Sequence, residues 1–135
     1  MNGRFFDTNV LIYAASADAE KATKAEALLA GGGVISVQVL NEFVNVARHK
    51  LHRSWPEIRG YLTAARHFLK VEPLTVALHD KALAVAERHK LHIYDASIVA
   101  AALLSGCDTL YSEDMHDGLV IEGKLRVTNP FSTLS

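Results

Sequence analysis

Four acidic residues carry the chemical interest of this chain: Asp7, Glu42, Asp95 and Asp114. Asp7 follows Arg4-Phe5-Phe6, which reads as a short strand, and Asp114 comes just after a second strand, Thr109-Leu110-Tyr111. In open α/β sheets ligand sites form beyond the carboxyl ends of strands, so both acids stand where such a site forms. Asp95 lies on the apolar stripe of a helix with Ile98, Val99 and Ala102. A carboxylate there needs a partner, because an unpaired buried charge is expensive. Each acid also has a plain alternative. Asp95 can be a simple N-cap, and Glu42, pointing away from the stripe Leu40, Phe43, Val44, Ala47 and Leu51, can be a solvated glutamate. Brought to one sheet edge without local basic partners, the four repel one another unless a divalent cation holds them. Hard oxygen donors without thiolates or paired histidines favour Mg2+ or Mn2+ over zinc.

The elements that must position these acids alternate along the chain. A helix over Ala19–Ala30 stops at the glycines from Gly31, and Val34-Ile35 is a buried strand. Ser36 caps a helix to about Lys50, and Ser54-Trp55-Pro56-Glu57 is a capping box that opens a helix to about Leu69. A strand over Val71–Leu74 and a Thr75-capped helix to about Lys90 follow. The helix from about Asp95 to Leu104 is apolar on every side and so is expected to be buried on more than one face. Leu125–Val127 is a last strand. The pattern predicts an α/β domain with a central, mainly parallel sheet of about five short strands flanked by helices.

Composition narrows the class. The 135 residues suit one domain, 1–135, and a half-hydrophobic composition with 21% charged residues excludes a disordered chain. A lone Cys107 excludes a disulfide framework and suits a reducing cytoplasm. No leader is expected from the N-terminal sequence, and the longest apolar run, Ile98–Leu104, is far short of a membrane span. No glycine-rich phosphate loop, nucleophile elbow or zincin pattern is present. The net charge of -1 hides an uneven distribution. Between Phe43 and Lys70 stand six bases and one acid, and the remainder is acidic. The basic segment, with Arg48, Lys50 and Arg53, is either a pair of solvated helix faces or a grip for a phosphate backbone.

Phe6-Asp7-Thr8-Asn9-Val10-Leu11, Asn41-Glu42, Tyr94-Asp95-Ala96 and Ser112-Glu113-Asp114-Met115 together resemble the PIN-domain nucleases. Within that family the chain is most similar to VapC-type toxins of type II toxin–antitoxin pairs, over essentially its whole length. The resemblance implies a PIN-like three-layer sandwich and a metal-dependent endoribonuclease, with Asp7, Glu42, Asp95 and Asp114 binding Mg2+ or Mn2+. It further implies that Thr8 and Asn9 orient Asp7, that Ser112 hydrogen-bonds in the site, and that Asp117 is an additional acid. Many relatives have Thr-x-Asn or Thr-x-Asp where this chain has Ser112-Glu113-Asp114, so the added Glu113 leaves the ligand count open. An RNA substrate, a cognate antitoxin, a homodimer and a cytoplasmic location complete the expectation, with no membrane role. A PIN-like nuclease of RNA processing without a toxin role, or a non-catalytic α/β binding module, are the competing functions.

Overall fold

A computed structural model describes residues 3–132, so the ends of the expected 1–135 unit lie outside the described range. In chain order the elements are β1 (Gly3–Phe6), α1 (Thr8–Ala14), α2 (Ala19–Ala30), β2 (Gly33–Ser36), α3 (Val37–His49) and α4 (Trp55–Phe68). They continue with β3 (Leu69–Glu72), α5 (Val76–His89), α6 (Ile93–Leu104), β4 (Cys107–Tyr111), β5 (Val120–Ile121) and β6 (Leu125–Thr128). Most helix starts follow from local capping. The side chains of Asp7, Asp18, Ser36, Ser54 and Thr75 accept backbone N–H groups that the first helical turn leaves unpaired. Ser54 and Glu57 form the full reciprocal box, with Pro56 in the first turn.

The sheet order is β3-β2-β1-β4-β6-β5, parallel throughout except for β5 against β6. From β1 the chain builds outward to β2 and β3, and only later returns to lay β4 on the other side. The crevice beyond the carboxyl ends of β1 and β4 is therefore a topological switch point, the place where doubly wound sheets bind ligands. Consecutive strand residues such as Phe5 and Phe6 are both fully buried, as expected for a sheet covered on both faces. Helices α5 and α6 pack on each other, with α6 against β2 and β4, while α1 packs on α2 and α3, and α3 on α4. The stretch Ala96–Ala102 of α6 is buried throughout, matching its all-round apolar sequence. Gly33 has no room for a side chain: a Cβ there would stand 2.6 Å from the Phe6 ring and 2.7 Å from the Arg4 carbonyl oxygen. Arg4 ties the same corner together, its Nη2 donating to the carbonyls of Leu28 (2.7 Å) and Gly32 (2.8 Å).

The mainly parallel sheet of short strands is as expected, with six strands among the described residues where the sequence pattern predicts about five, and two element bounds need correction. The extra one, β5, has two residues and exists through its antiparallel register with β6, Ile121 facing Leu125. Strand β3 occupies Leu69–Glu72 rather than Val71–Leu74, because Leu69 to Glu72 pair in register with Gly33 to Ser36. Helix α6 begins at Ile93 with His92 as its N-cap, so Asp95 lies within the first turn and is not the cap.

Candidate active site and metal centre

Asp7 is the centre of the site. It leaves β1 at the switch point and is 4% exposed. Its own N–H donates to the Tyr111 carbonyl at 2.9 Å, continuing the β1–β4 ladder. One carboxylate oxygen accepts the Thr8 N–H at 2.7 Å and the other accepts the Ser112 hydroxyl at 2.7 Å. Burial raises the pKa of Asp7 to about 7; the bonds from Ser112 and Thr8 oppose that shift, and the charges of Asp114 and Asp95 add to it.

The other three acids reach the same crevice from different elements. Glu42, on α3, accepts the Thr8 hydroxyl at 3.0 Å. It is half-buried and held, which removes the reading of a solvated glutamate. Its pKa is raised by burial and by the charges of Asp95 and Asp114. Asp95, in the first turn of α6, is likewise raised, first by burial and then by Asp114. Asp114, after β4, is exposed and accepts the Asn9 side-chain amide at 3.3 Å. The mutual repulsion places all four carboxylates in one electrostatic neighbourhood, and none of them pairs with a lysine, arginine or histidine among the described residues.

In kind, this donor set suits a hard divalent cation: all oxygen, surplus negative charge, and one deeply buried member kept partly protonated by the lack of a counter-charge. In arrangement it is not a finished cage, since among the described residues no three His, Cys, Asp or Glu side chains converge on a point that could hold an ion.

The expected supporting residues divide. Thr8, Asn9 and Ser112 are buried and hydrogen-bonded within the site, each to a different acid: Thr8 to Glu42, Asn9 to Asp114 and Ser112 to Asp7. Thr8 bonds Asp7 through its backbone N–H, whereas Asn9, expected to orient Asp7 as well, bonds Asp114 instead, and Ser112 supplies the second bond to Asp7. Asp117 is occupied elsewhere, accepting the Asn129 N–H at 2.9 Å, where it fastens the turn after β6. Among the expected RNA contacts, Arg48 and Lys50 are exposed at the end of α3. Arg53 is not free: its Nη2 donates to the Ala15 carbonyl at 2.6 Å, and its Nη1 stands 3.4 Å from Glu57. The sequence reading missed a second polar cluster in which Tyr13 and Lys21 hold Glu113. The only local signal for it was the unusual glutamate beside Asp114.

A family model described as the PIN domain matches residues 4–116, most of the chain. The chain belongs to the PIN-domain family. Among solved structures, this PIN-domain protein is similar to a chain of a toxin–antitoxin complex from Klebsiella pneumoniae, with 26% identity, a TM-score of 0.70, and coverage of 94% of this chain and 97% of that one. It also resembles VapC20 of Mycobacterium tuberculosis, described as a sarcin–ricin-loop-cleaving toxin, at 22% identity and TM-score 0.65, covering 82% and 89% of the two chains. A third neighbour is VapBC2 from Rickettsia felis bound to a promoter DNA fragment, at 19% identity and TM-score 0.59, covering 82% and 87%. The latter two likenesses concern the fold. No curated protein sequence matches the chain.

Proposed function

We propose that this PIN-domain protein is a Mg2+- or Mn2+-dependent endoribonuclease and the toxin of a toxin–antitoxin pair. The observation that carries the proposal is the set of four carboxylates, unpaired by any base, at the switch point of a PIN-domain sheet, with buried Asp7 at a pKa of about 7. Asp7, Glu42, Asp95 and Asp114 are the residues that would hold the metal. When bound, the metal supplies a Lewis acid that activates water and offsets charge on the scissile phosphate. The chain's own part is positioning. Ser112 and the Thr8 N–H fix both oxygens of Asp7, the Thr8 hydroxyl fixes Glu42, and Asn9 fixes Asp114. Each bond is made by a neutral group, so the carboxylates keep their negative charge for a cation. Lys50 and Arg48, which from its exposed position also donates to the Arg53 carbonyl at 3.1 Å, are the proposed grip on the flanking phosphates; Asp117 is left out because it holds the Asn129 N–H, and Arg53 because its guanidinium is held between the Ala15 carbonyl and Glu57.

The antitoxin's seat in this reading is an apolar groove of about 370 Å³ between α1, α2 and α4. Leu11, Leu29, Phe43, Tyr61, Leu62 and Phe68 line it, and Phe68 is 51% exposed. An apolar groove between helices is the form that accepts the apolar face of a partner helix. A homodimer acting on RNA in the cytoplasm belongs to the same proposal; no helix among the described residues is long and apolar enough to cross a membrane.

The test is cleavage of a panel of structured RNAs by purified protein with Mn2+ or Mg2+, repeated with EDTA and with Asp7→Asn and Asp95→Asn. Cleavage should require metal and should vanish in both variants while their circular dichroism stays that of the parent. Uncut RNA across the panel, or variants as active as the parent, would overturn the assignment.

A further inference from the structure

We propose that Lys21, Tyr13 and Glu113 form a latch that positions Asp114 for metal binding; the proposal rests on the metal-dependent reading above. The Tyr13 hydroxyl donates to one Glu113 carboxylate oxygen at 2.5 Å, and Lys21 Nζ donates to the Tyr13 hydroxyl at 3.0 Å and to the other Glu113 oxygen at 3.2 Å. The ammonium also lies 4.4 Å above the Tyr13 ring, which packs edge-on against Phe131 at 4.8 Å. The three polar groups are partly buried, so the ion pair is shielded more than a surface pair. The latch fastens the loop after β4 to α1 and α2 through side chains more than ninety residues apart in sequence.

The loop carries the effect one residue onward. The Glu113 N–H donates to Asn9 Oδ1 at 3.2 Å, and the same Asn9 side chain donates from Nδ2 to Asp114 at 3.3 Å. Holding Glu113 thus holds the oxygen end of the Asn9 amide, whose nitrogen end bonds Asp114, the most exposed of the four acids. The latch also settles what Glu113 is for. With both oxygens taken by Tyr13 and Lys21, it is a positioning residue and not a fifth metal ligand, and Lys21 cancels a charge that would otherwise add to the repulsion around Asp114. Lys21 reaches the loop from the first turn of α2, where the Asp18 cap fixes the direction of the helix.

The experiment measures Mn2+ binding by the protein alone, without RNA, in the parent, Lys21→Met, Lys21→Arg, Tyr13→Phe and Glu113→Gln. The parent should bind tightest, and Lys21→Met and Glu113→Gln about tenfold weaker, the size of loss seen when the support of a metal ligand is cut. Tyr13→Phe should fall between, and Lys21→Arg, which keeps the charge, should restore most of the affinity. In an Asp114→Asn background the Lys21→Met loss should disappear, because the latch acts through that residue. Unchanged affinity in Lys21→Met and Glu113→Gln, or an equal loss with and without Asp114, would overturn the latch. Hydrogen exchange at the Glu113 amide supplies a metal-free readout, expected to quicken in Lys21→Met and Glu113→Gln. If the parent takes up no Mn2+, the metal-dependent reading fails. In that case, or if Asp114→Asn binds none, exchange at Glu113 decides, and an unchanged rate overturns the latch.

Discussion

The Ser112 hydroxyl donates to Asp7 across 2.7 Å, joining two residues 105 positions apart in the chain. Both are buried, and the bond is one of two that favour the charged form of a carboxyl whose surroundings favour the neutral one. Burial holds the Asp7 carboxyl toward its neutral form, and a residue from the far end of the sequence partly offsets that.

Ser112→Ala should therefore push the pKa of Asp7 further above its present value of about 7. It also removes the acceptor for the Met115 N–H, so a cost of about 1–3 kcal/mol in stability is expected. Carboxyl carbon chemical shifts followed through a pH titration would report the first effect and urea unfolding the second. A titration midpoint that does not rise would contradict this account of Asp7.

The raised pKa also fixes the sign of the pH dependence. Between the ordinary aspartate value of 3.8 and about 7, the folded chain keeps a proton on Asp7 that the unfolded chain has released. In metal-free buffer, stability should consequently fall as pH rises through that window, by a few kcal/mol at most, and Glu42 and Asp95, both raised, act in the same direction. Asp7→Asn should remove the largest part of the slope, matching the parent near pH 4 and exceeding it at pH 8. Unfolding free energies measured at a series of pH values with EDTA would show it; a parent that gains stability from pH 4 to 7 would refute it.

Mn2+ binding should reverse that trend. A cation needs the deprotonated carboxylate, so binding below pH 7 should release close to one proton and raise the melting temperature more at pH 8 than at pH 5. Calorimetry in buffers of differing ionisation enthalpy counts the protons. Proton release of zero would mean that Asp7 is not a ligand.

The basic segment divides into structural and exposed members. Arg53→Ala should lower stability by about 1–3 kcal/mol, because it frees the Ala15 carbonyl at the end of α1. Replacing Arg48 and Lys50 together with alanine should cost about 0.5–1.5 kcal/mol, because Arg48 donates to the Arg53 carbonyl, while flattening the salt dependence of RNA binding by about one unit per charge removed. An unaltered salt slope would return Arg48 and Lys50 to being solvated surface charges.

Polar substitution in the groove should separate cleavage from its control. Phe68→Ser and Ala65→Glu change residues that line the groove and make no hydrogen bond to the four acids. RNA cleavage should persist, and neutralisation by the cognate antitoxin should need about tenfold more of it or beyond. Full neutralisation at the parent's ratio would place the partner elsewhere.

What the sequence disclosed follows the reach of each interaction. Ser36, Ser54 with Glu57, and Thr75 mark their helices because a cap acts over three residues. The apolar continuity of Ala96–Ala102 foretold its burial, and Asp7 and Asp114 were placed by the strands before them. Strand β5 was illegible because two residues have no period; only pairing with Arg126 and Leu125 makes them a strand. The start of β3 was hidden because Leu69 continues the helical pattern of α4 until β2 claims it. Glu42 looked solvated because a helix pattern cannot reveal that Thr8 arrives on its polar side. Arg53 and Glu113 were misjudged or missed for the same reason, their partners lying 38 and up to 100 residues away.

The strand order also has a bearing on biosynthesis. Strand β1 is made first, yet its neighbour β4 and the hydroxyl that steadies Asp7 are translated more than a hundred residues later. A growing chain can pair β1 with β2 and β2 with β3, but its acid cluster stays without Asp114 until β4 has been added. Under the proposed function, a nascent chain therefore lacks one of its four candidate metal ligands until about five-sixths of its length has been made, and the strands β5 and β6 follow only after that ligand is in place.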